Sequence, residues 1–402
     1  MMMWLSRLVL SAAVLLLLPI PGIAQGIKVA TPLGDLEKAA VVDSTDAVAH
    51  YNLAIGYWSK KRFDDAEAEL DRVLVLEPRF ALAYLAKAYL PFARRPKLWG
   101  ELERDKLTVE QRNQLDAMDR NYRQAFFFDP LVDLRIIGAT LPGKSYLWTT
   151  DPYLSSIWDT WVRGFEDFRD GDYANAFRRF ERMIDLYTST GRRDPSRVPE
   201  DIIWFQGLAA ARLGMHHVAL RNARTVLDRR IKAEREAEKK NELTFAPLRS
   251  NDYRYVLGFL HTRAEQSDEA VRHFQEALTQ DAGLYMAHVQ LANIYESRGQ
   301  LAVALAERRS AVAVNPEDPT SAIELAITLA RYGESGEAEA TLAETARTNP
   351  QNARAHYLLG IVRQQLGKPA EARASYQQFL AVVPSRYTRE IEDARSRLAE
   401  LP

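Results

Sequence analysis

The chain has 402 residues, a formal net charge of −1 and no cysteine. Near-neutral charge leaves no electrostatic footprint for nucleic acid or an anionic membrane surface. The missing thiols exclude disulfides, thiol catalysis and cysteine-ligated metals, so stability has to come from packing, which a chain of this length can supply.

Near the N-terminus a single cation, Arg7, precedes an apolar stretch from Leu8 to Leu18 that is broken by Pro19 and Pro21. The stretch falls short of the ~20 residues needed to span a bilayer. Gly22, Ile23 and Ala24 then supply small residues two apart. Residues 1–24 are therefore expected to be a cleaved export signal, with the mature chain beginning near Gln25 in the periplasm or outside the cell. A linker is expected over 25–45.

From Asp46 a template emerges. Leu53-Ala54, Tyr57, Ala66, Leu70 and Pro78 mark a first unit, and a second opens near Ala81. This second unit is interrupted by a charged insertion around Trp99 to Glu110 and ends at Ala125 and Pro130, giving an N-terminal block over 46–132.

The region 133–250 is looser. Gly138-Ala-Thr-Leu-Pro-Gly-Lys-Ser145 fits the phosphate-loop pattern G-x-x-x-x-G-K-[ST]. Such a loop cradles phosphates with successive backbone N–H groups between a strand and a helix, and Pro142 has no N–H to give. With helical units on both sides leaving no room for a sheet, the stretch is expected to be a Gly/Pro-turned connection. Two divergent units follow, one on Gly164, Gly171, Tyr173, Ala176 and Phe180, the other on Trp204, Gly214 and Ala219. The second runs on through Arg229 to Lys240, where mixed charges predict a solvated helix extension. The segment from Tyr122 to Phe180 is rich in aromatics, among them Phe126, Phe127, Tyr146, Trp148, Trp158, Trp161, Phe165 and Phe168. These rings either fill irregular packing gaps or line a ligand groove.

The period is clearest over 251–386. Leu257, Leu291, Leu325 and Leu359 stand 34 apart, each followed by a small residue, Gly258, Ala292, Ala326 or Gly360. Thirteen residues beyond each leucine comes Ala270, Ala304, Ala338 or Ala372. Gly299, Gly333 and Gly367 keep the same step, as do Pro316, Pro350 and Pro384. Each unit reads as two short antiparallel helices joined at the glycine and ended by the proline. One pair cannot bury its own apolar face, so units must stack. Residues 387–402 read as a single capping helix.

The spacing, small residues and terminal proline resemble the tetratricopeptide repeat, a helix-turn-helix unit of 34 residues. The resemblance covers most of the chain after residue 45, strongly at both ends and loosely between. It implies an all-α, right-handed α-solenoid of stacked repeats, irregular in the middle. It also implies a concave groove built from the first helix of each unit. The positions that face such a groove are Tyr51, Ile55 and Trp58 in the first unit, and Tyr255 and Phe259 in the fifth. They continue with Asn293 in the sixth, Ile327 in the seventh, and Tyr357 and Ile361 in the eighth, with Arg263 and Arg331 at the edge. The lysines expected of a carboxylate-gripping member are missing from these positions.

His50, His288 and His356 share one repeat position and are expected to pack rather than bind metal, and His216-His217 falls in a turn. No catalytic, metal or cofactor motif is read. The expected function is a non-catalytic scaffold of the bacterial cell envelope that binds protein or peptide partners, with no nucleic acid and no membrane span after signal removal. Oligomeric state is left open. Two rivals stand beside it: a small-ligand or glycan carrier using the aromatic segment, and a nucleotide-binding protein using Gly138 to Ser145.

Overall fold

The computed structural model describes residues 31–94, 108–132, 160–161, 163–168, 170–189, 198–240 and 248–402. The expected export signal, the phosphate-loop-like stretch and Tyr146, Trp148 and Trp158 lie outside these residues.

Every regular element among the described residues is helical, and the helices pack as consecutive pairs. α1 (Leu33–Val42) precedes the first pair, α2 (Ala47–Ser59) and α3 (Phe63–Leu76). The second pair is α4 (Ala81–Arg94) with α5 (Val109–Phe128). Residues 163–168 are helical and stand before α6 (Tyr173–Ser189), and the fourth pair is α7 (Glu200–Arg212) with α8 (His216–Lys240). The four regular pairs begin with α9 (Ser250–Arg263) and α10 (Ser267–Gln280), then α11 (Tyr285–Ser297) and α12 (Leu301–Val314). They end with α13 (Pro319–Tyr332) and α14 (Ser335–Thr348), and α15 (Ala353–Gln365) and α16 (Pro369–Val382). The capping helix is α17 (Thr388–Glu400). The architecture is the α-solenoid the repeat spacing predicts.

The repeat positions explain the pairing. The four period leucines are all buried, and Ala270, Ala304, Ala338 and Ala372 are fully enclosed. The small residue after the leucine makes room for the side chain sixteen residues on. A Cβ on Gly258 would lie 2.7 Å from Phe274 Cε1, and one on Gly360 would lie 2.6 Å from Tyr376 Cε1. The turn residue eight after the leucine is left-handed, with φ of 73° at Gly299. Lys61 and Glu265 hold the same conformation in units one and five, at φ of 60° and 59°, where a side chain makes it costlier.

Region 25–45 is not a plain linker. Residues 33–42 form α1, whose Leu33 and Leu36 side chains close over Gly56 of α2. The repeat template has no place for this helix; Leu33, Leu36 and Ala40 turn to one face and find a glycine shelf, while Val41 and Val42 stay exposed. The extension beyond Arg229 is continuous helix to the end of α8, as its mixed charges predict. No helix of the described residues is long and apolar enough to cross a membrane.

Candidate binding groove

Several first-helix positions that the repeat pattern assigns to a groove are covered by distant parts of the chain. Tyr255 is fully buried; its hydroxyl donates to the Phe127 carbonyl at 2.8 Å, and the two rings meet edge to face. That carbonyl is one of the last four of α5, which have no partner within their own helix. Beside it, Arg123 of α5 donates to Asp252, at the start of α9, and to Asp281 after α10. The C-terminal end of α5 thus lies across the wall of the fifth unit.

Farther along, Arg79, from the turn between α3 and α4, reaches the seventh unit. It donates to Asp318 Oδ2 at 2.7 Å, to Ser321 Oγ at 2.8 Å and to Glu324 Oε1 at 3.1 Å. Asp318 is also the N-cap of α13, accepting from the backbone N–H groups of Thr320 and Ser321. On the other side of Glu324, Arg308 donates to Oε2 at 2.9 Å and to Asn293 Oδ1 at 2.6 Å. Glu296 lies 3.6 Å from Arg308 and accepts from Arg331 at 3.2 Å. Burial pushes the Glu324 carboxyl up, but Arg79, Arg308 and Arg354 outweigh it, and the group is held below the usual carboxylate range. At Glu77 burial wins, with the nearby Asp318 charge adding to it, and the carboxyl is raised despite Arg354 and Arg79. The two ends of the solenoid also touch. Asp43, after α1, accepts from the Ser385 hydroxyl at 2.7 Å, and Arg386 pairs with Asp46, the N-cap of α2.

These contacts correct part of the groove read from the sequence. Tyr51 packs on Phe80 with ring centroids 5.1 Å apart, and Trp58 stacks on Tyr89. Tyr357 donates its hydroxyl to Asp393 of the capping helix at 2.6 Å, and Ile361 is buried beside it in the C-terminal core. Tyr51, Trp58, Tyr255, Tyr357 and Ile361 are therefore internal packing residues that present no face to a partner. The repeat pattern places a position on the wall but is silent about what the rest of the chain lays over it. Ile55, Phe259 and Ile327 are half-buried, and Arg263, Asn293 and Arg331 are exposed. Those six are the groove positions of the repeat pattern that keep solvent exposure. Sequence reasoning missed Arg79, Arg123, Arg308 and Glu324. One of them was legible: Arg308 stands seventeen residues after Leu291, where the sister units carry Phe274, Leu342 and Tyr376.

The described aromatics of the middle region pack against one another. Phe165 lies 4.4 Å from Phe205 and 5.4 Å from Phe180, and Phe168 lies 5.7 Å from Phe205, all edge to face. The repeat histidines serve their own pairs. His50 Nδ1 meets Glu69 at 2.6 Å, His288 Nδ1 meets Glu307 at 2.6 Å, and His356 Nε2 lies 3.0 Å from the Pro350 carbonyl.

Residues 323–387 match a family model described as tetratricopeptide repeat. That stretch, α13 to α16 with the start of the cap, is the part of the chain the family model recognises. No curated protein matches the chain. Among solved structures, the chain is similar to the C-terminal part of a TPR repeat-containing protein from Cytophaga hutchinsonii. That match has 14% identity, a TM-score of 0.44 and coverage of 58% of this chain and 83% of the other. It is also similar to MamA from Desulfovibrio magneticus, at 16% identity, TM-score 0.36, 46% of this chain and 94% of the other. A thermophilic TPR protein of Thermus thermophilus is similar at 18% identity, TM-score 0.34, 50% of this chain and 100% of the other.

Proposed function

We propose that this TPR solenoid is a non-catalytic scaffold of the bacterial cell envelope, exported to the periplasm or beyond, that holds a protein or peptide partner against its inner wall. One observation carries the reading. Phe259, Asn293 and Ile327 stand at the same place in three consecutive units, one repeat apart, and each keeps solvent exposure. A stacked repeat sets equivalent side chains in a row, and two half-buried apolar groups flanking an amide suit an extended or helical peptide with apolar anchors. Arg263 and Arg331, each six residues after its repeat leucine, are exposed and would supply cations at the rim of that row. The export half of the reading rests on Arg7, the Leu8–Leu18 stretch and Gly22-Ile-Ala24.

Affinity capture from envelope extract tests the scaffold, with the purified chain and a Phe259→Asp/Ile327→Asp variant as parallel baits. The expected outcome is one protein retained by the first bait and lost by the second. Equal capture by both baits would reject the wall as the binding surface. Export is checked separately, by cell fractionation and N-terminal sequencing of the product: a chain starting near Gln25 outside the cytoplasm is expected, and an uncleaved cytoplasmic chain rejects export.

A further inference from the structure

The fifth unit holds a cluster that the repeat does not require. His261 lies in the last turn of α9, and Glu269 and His273 stand four apart on α10, hence on one face of that helix. One nitrogen from each ring and one Glu269 oxygen lie within 4.8 Å of one another. The two rings are stacked, 5.2 Å between centroids and 17° between planes. Each histidine is only 5% exposed, whereas Glu269 faces solvent.

The hydrogen bonds assign the lone pairs. His261 Nδ1 lies 2.7 Å from Gln266 Oε1, an amide oxygen that only accepts, so Nδ1 carries the proton. Its Nε2 then holds a lone pair, and that atom is buried with no hydrogen-bond partner. At His273, Nε2 lies 3.2 Å from Arg272 Nη2, which only donates, so Nε2 holds the lone pair there. Nδ1, without a hydrogen bond, points toward Glu276 Oε2 at 3.6 Å. Each ring therefore turns one protonated nitrogen toward an acceptor and keeps a lone pair on the other, the arrangement by which outer partners orient metal-binding imidazoles. A guanidinium now serves this set. Arg272 donates to Glu269 at 2.6 Å while a second nitrogen donates to Glu276 at 2.7 Å.

We propose that His261, His273 and Glu269 form a site for a divalent ion of the zinc class, which displaces the Arg272 guanidinium from Glu269 and His273. Two imidazole nitrogens and a carboxylate oxygen are a zinc-type donor set, leaving a fourth position to water. Bond lengths of about 2.0–2.2 Å require the three donors to draw together. The exposed Glu269 side chain is free to turn inward, and Arg272 keeps Glu276 as its partner when it swings away. Protonation favours the exchange. Burial holds both imidazoles below the ordinary histidine range, His273 down to about 4, and the Arg272 hydrogen bond holds the Glu269 carboxyl below its own. At neutral pH the rings are neutral and the carboxylate is charged, as ligands must be. The ion would clamp α9 to α10 across the strained turn at Glu265.

Cobalt(II), a zinc surrogate with visible absorption, tests the site by titration into the purified untagged protein. Four variants run alongside: His261→Gln, Glu269→Gln, Arg272→Gln and the control His216→Gln/His217→Gln. One equivalent of cobalt should bind, displaceable by zinc, with affinity about tenfold or more weaker in His261→Gln and Glu269→Gln. Arg272→Gln should bind more tightly, because the competing cation is gone, and the control should match the parent. Glu269 is on the surface, so its variant keeps the test valid if His261→Gln misfolds. No cobalt uptake, unchanged affinity in Glu269→Gln, or loss of binding in the control overturns the proposal.

Discussion

The fifth and eighth units differ from the sixth at one position of the same repeat. In α9–α10 the Phe274 ring fills the space beside Gly258, and in α15–α16 the Tyr376 ring fills that beside Gly360. In α11–α12 the corresponding place, opposite Ala292, holds Arg308, almost fully buried. The repeat therefore prescribes a volume at this site and leaves its polarity free. An aromatic ring there completes its own pair and asks nothing of its neighbours. A guanidinium cannot stay unpaired in a low-dielectric interior, so it draws Asn293 from its own unit and Glu324 from the next. Glu324 in turn holds Arg79 from the far end of the chain. One polar substitution thus turns a self-contained pair into a junction of three units.

The largest test of this contrast removes the cation. Arg308→Ala leaves Glu324 buried with one partner fewer, and a loss of about 3–5 kcal/mol is expected in denaturant unfolding. The double variant Arg308→Leu/Glu324→Leu should recover most of it, since both charges leave together. If Arg308→Ala costs no more than a surface substitution, the network is ornamental and the contrast fails. A smaller effect is expected where the pair is self-contained. Gly360→Ala puts a methyl 2.6 Å from the Tyr376 ring, which its hydroxyl bond to Gln364 keeps from sliding away. Overpacking of this kind costs about 1–3 kcal/mol, read as a shift in the unfolding midpoint. An unchanged midpoint would mean that the ring yields freely. The smallest effect belongs to a tie between distant units. Tyr255→Phe deletes the hydroxyl held by the Phe127 carbonyl and should cost about 1 kcal/mol. A cost well above that of Gly360→Ala would show that the contact of α5 with the fifth unit outweighs packing within a pair.

Legibility followed the range of the interaction. The helix pairs, the burial of Leu257 and Ala270, the left-handed turn at Gly299 and the capping helix all answer to residues within one repeat of each other, and all could be read from spacing. The helix over 33–42 could not, because it sits outside the period and depends on the shelf at Gly56. Nor could the filling of the wall. Tyr255 and Tyr357 occupy groove positions by pattern, yet one is covered by Phe127 and the other bonds Asp393. The histidine cluster of the fifth unit hid for a related reason: His261 and His273 belong to different helices, and only the turn at Glu265 brings their rings together.

By itself the sequence determined the unit, two antiparallel helices of fixed length with a small residue facing a large one, because that geometry depends on local propensity and near contacts. Tertiary structure alone decided which wall residues stay accessible, through Arg79 on the seventh unit, Arg386 on Asp46 and the end of α5 on the fifth. Those contacts join residues more than a hundred positions apart. Their formation depends on small rotations between units summed along the whole solenoid, a quantity no single repeat contains.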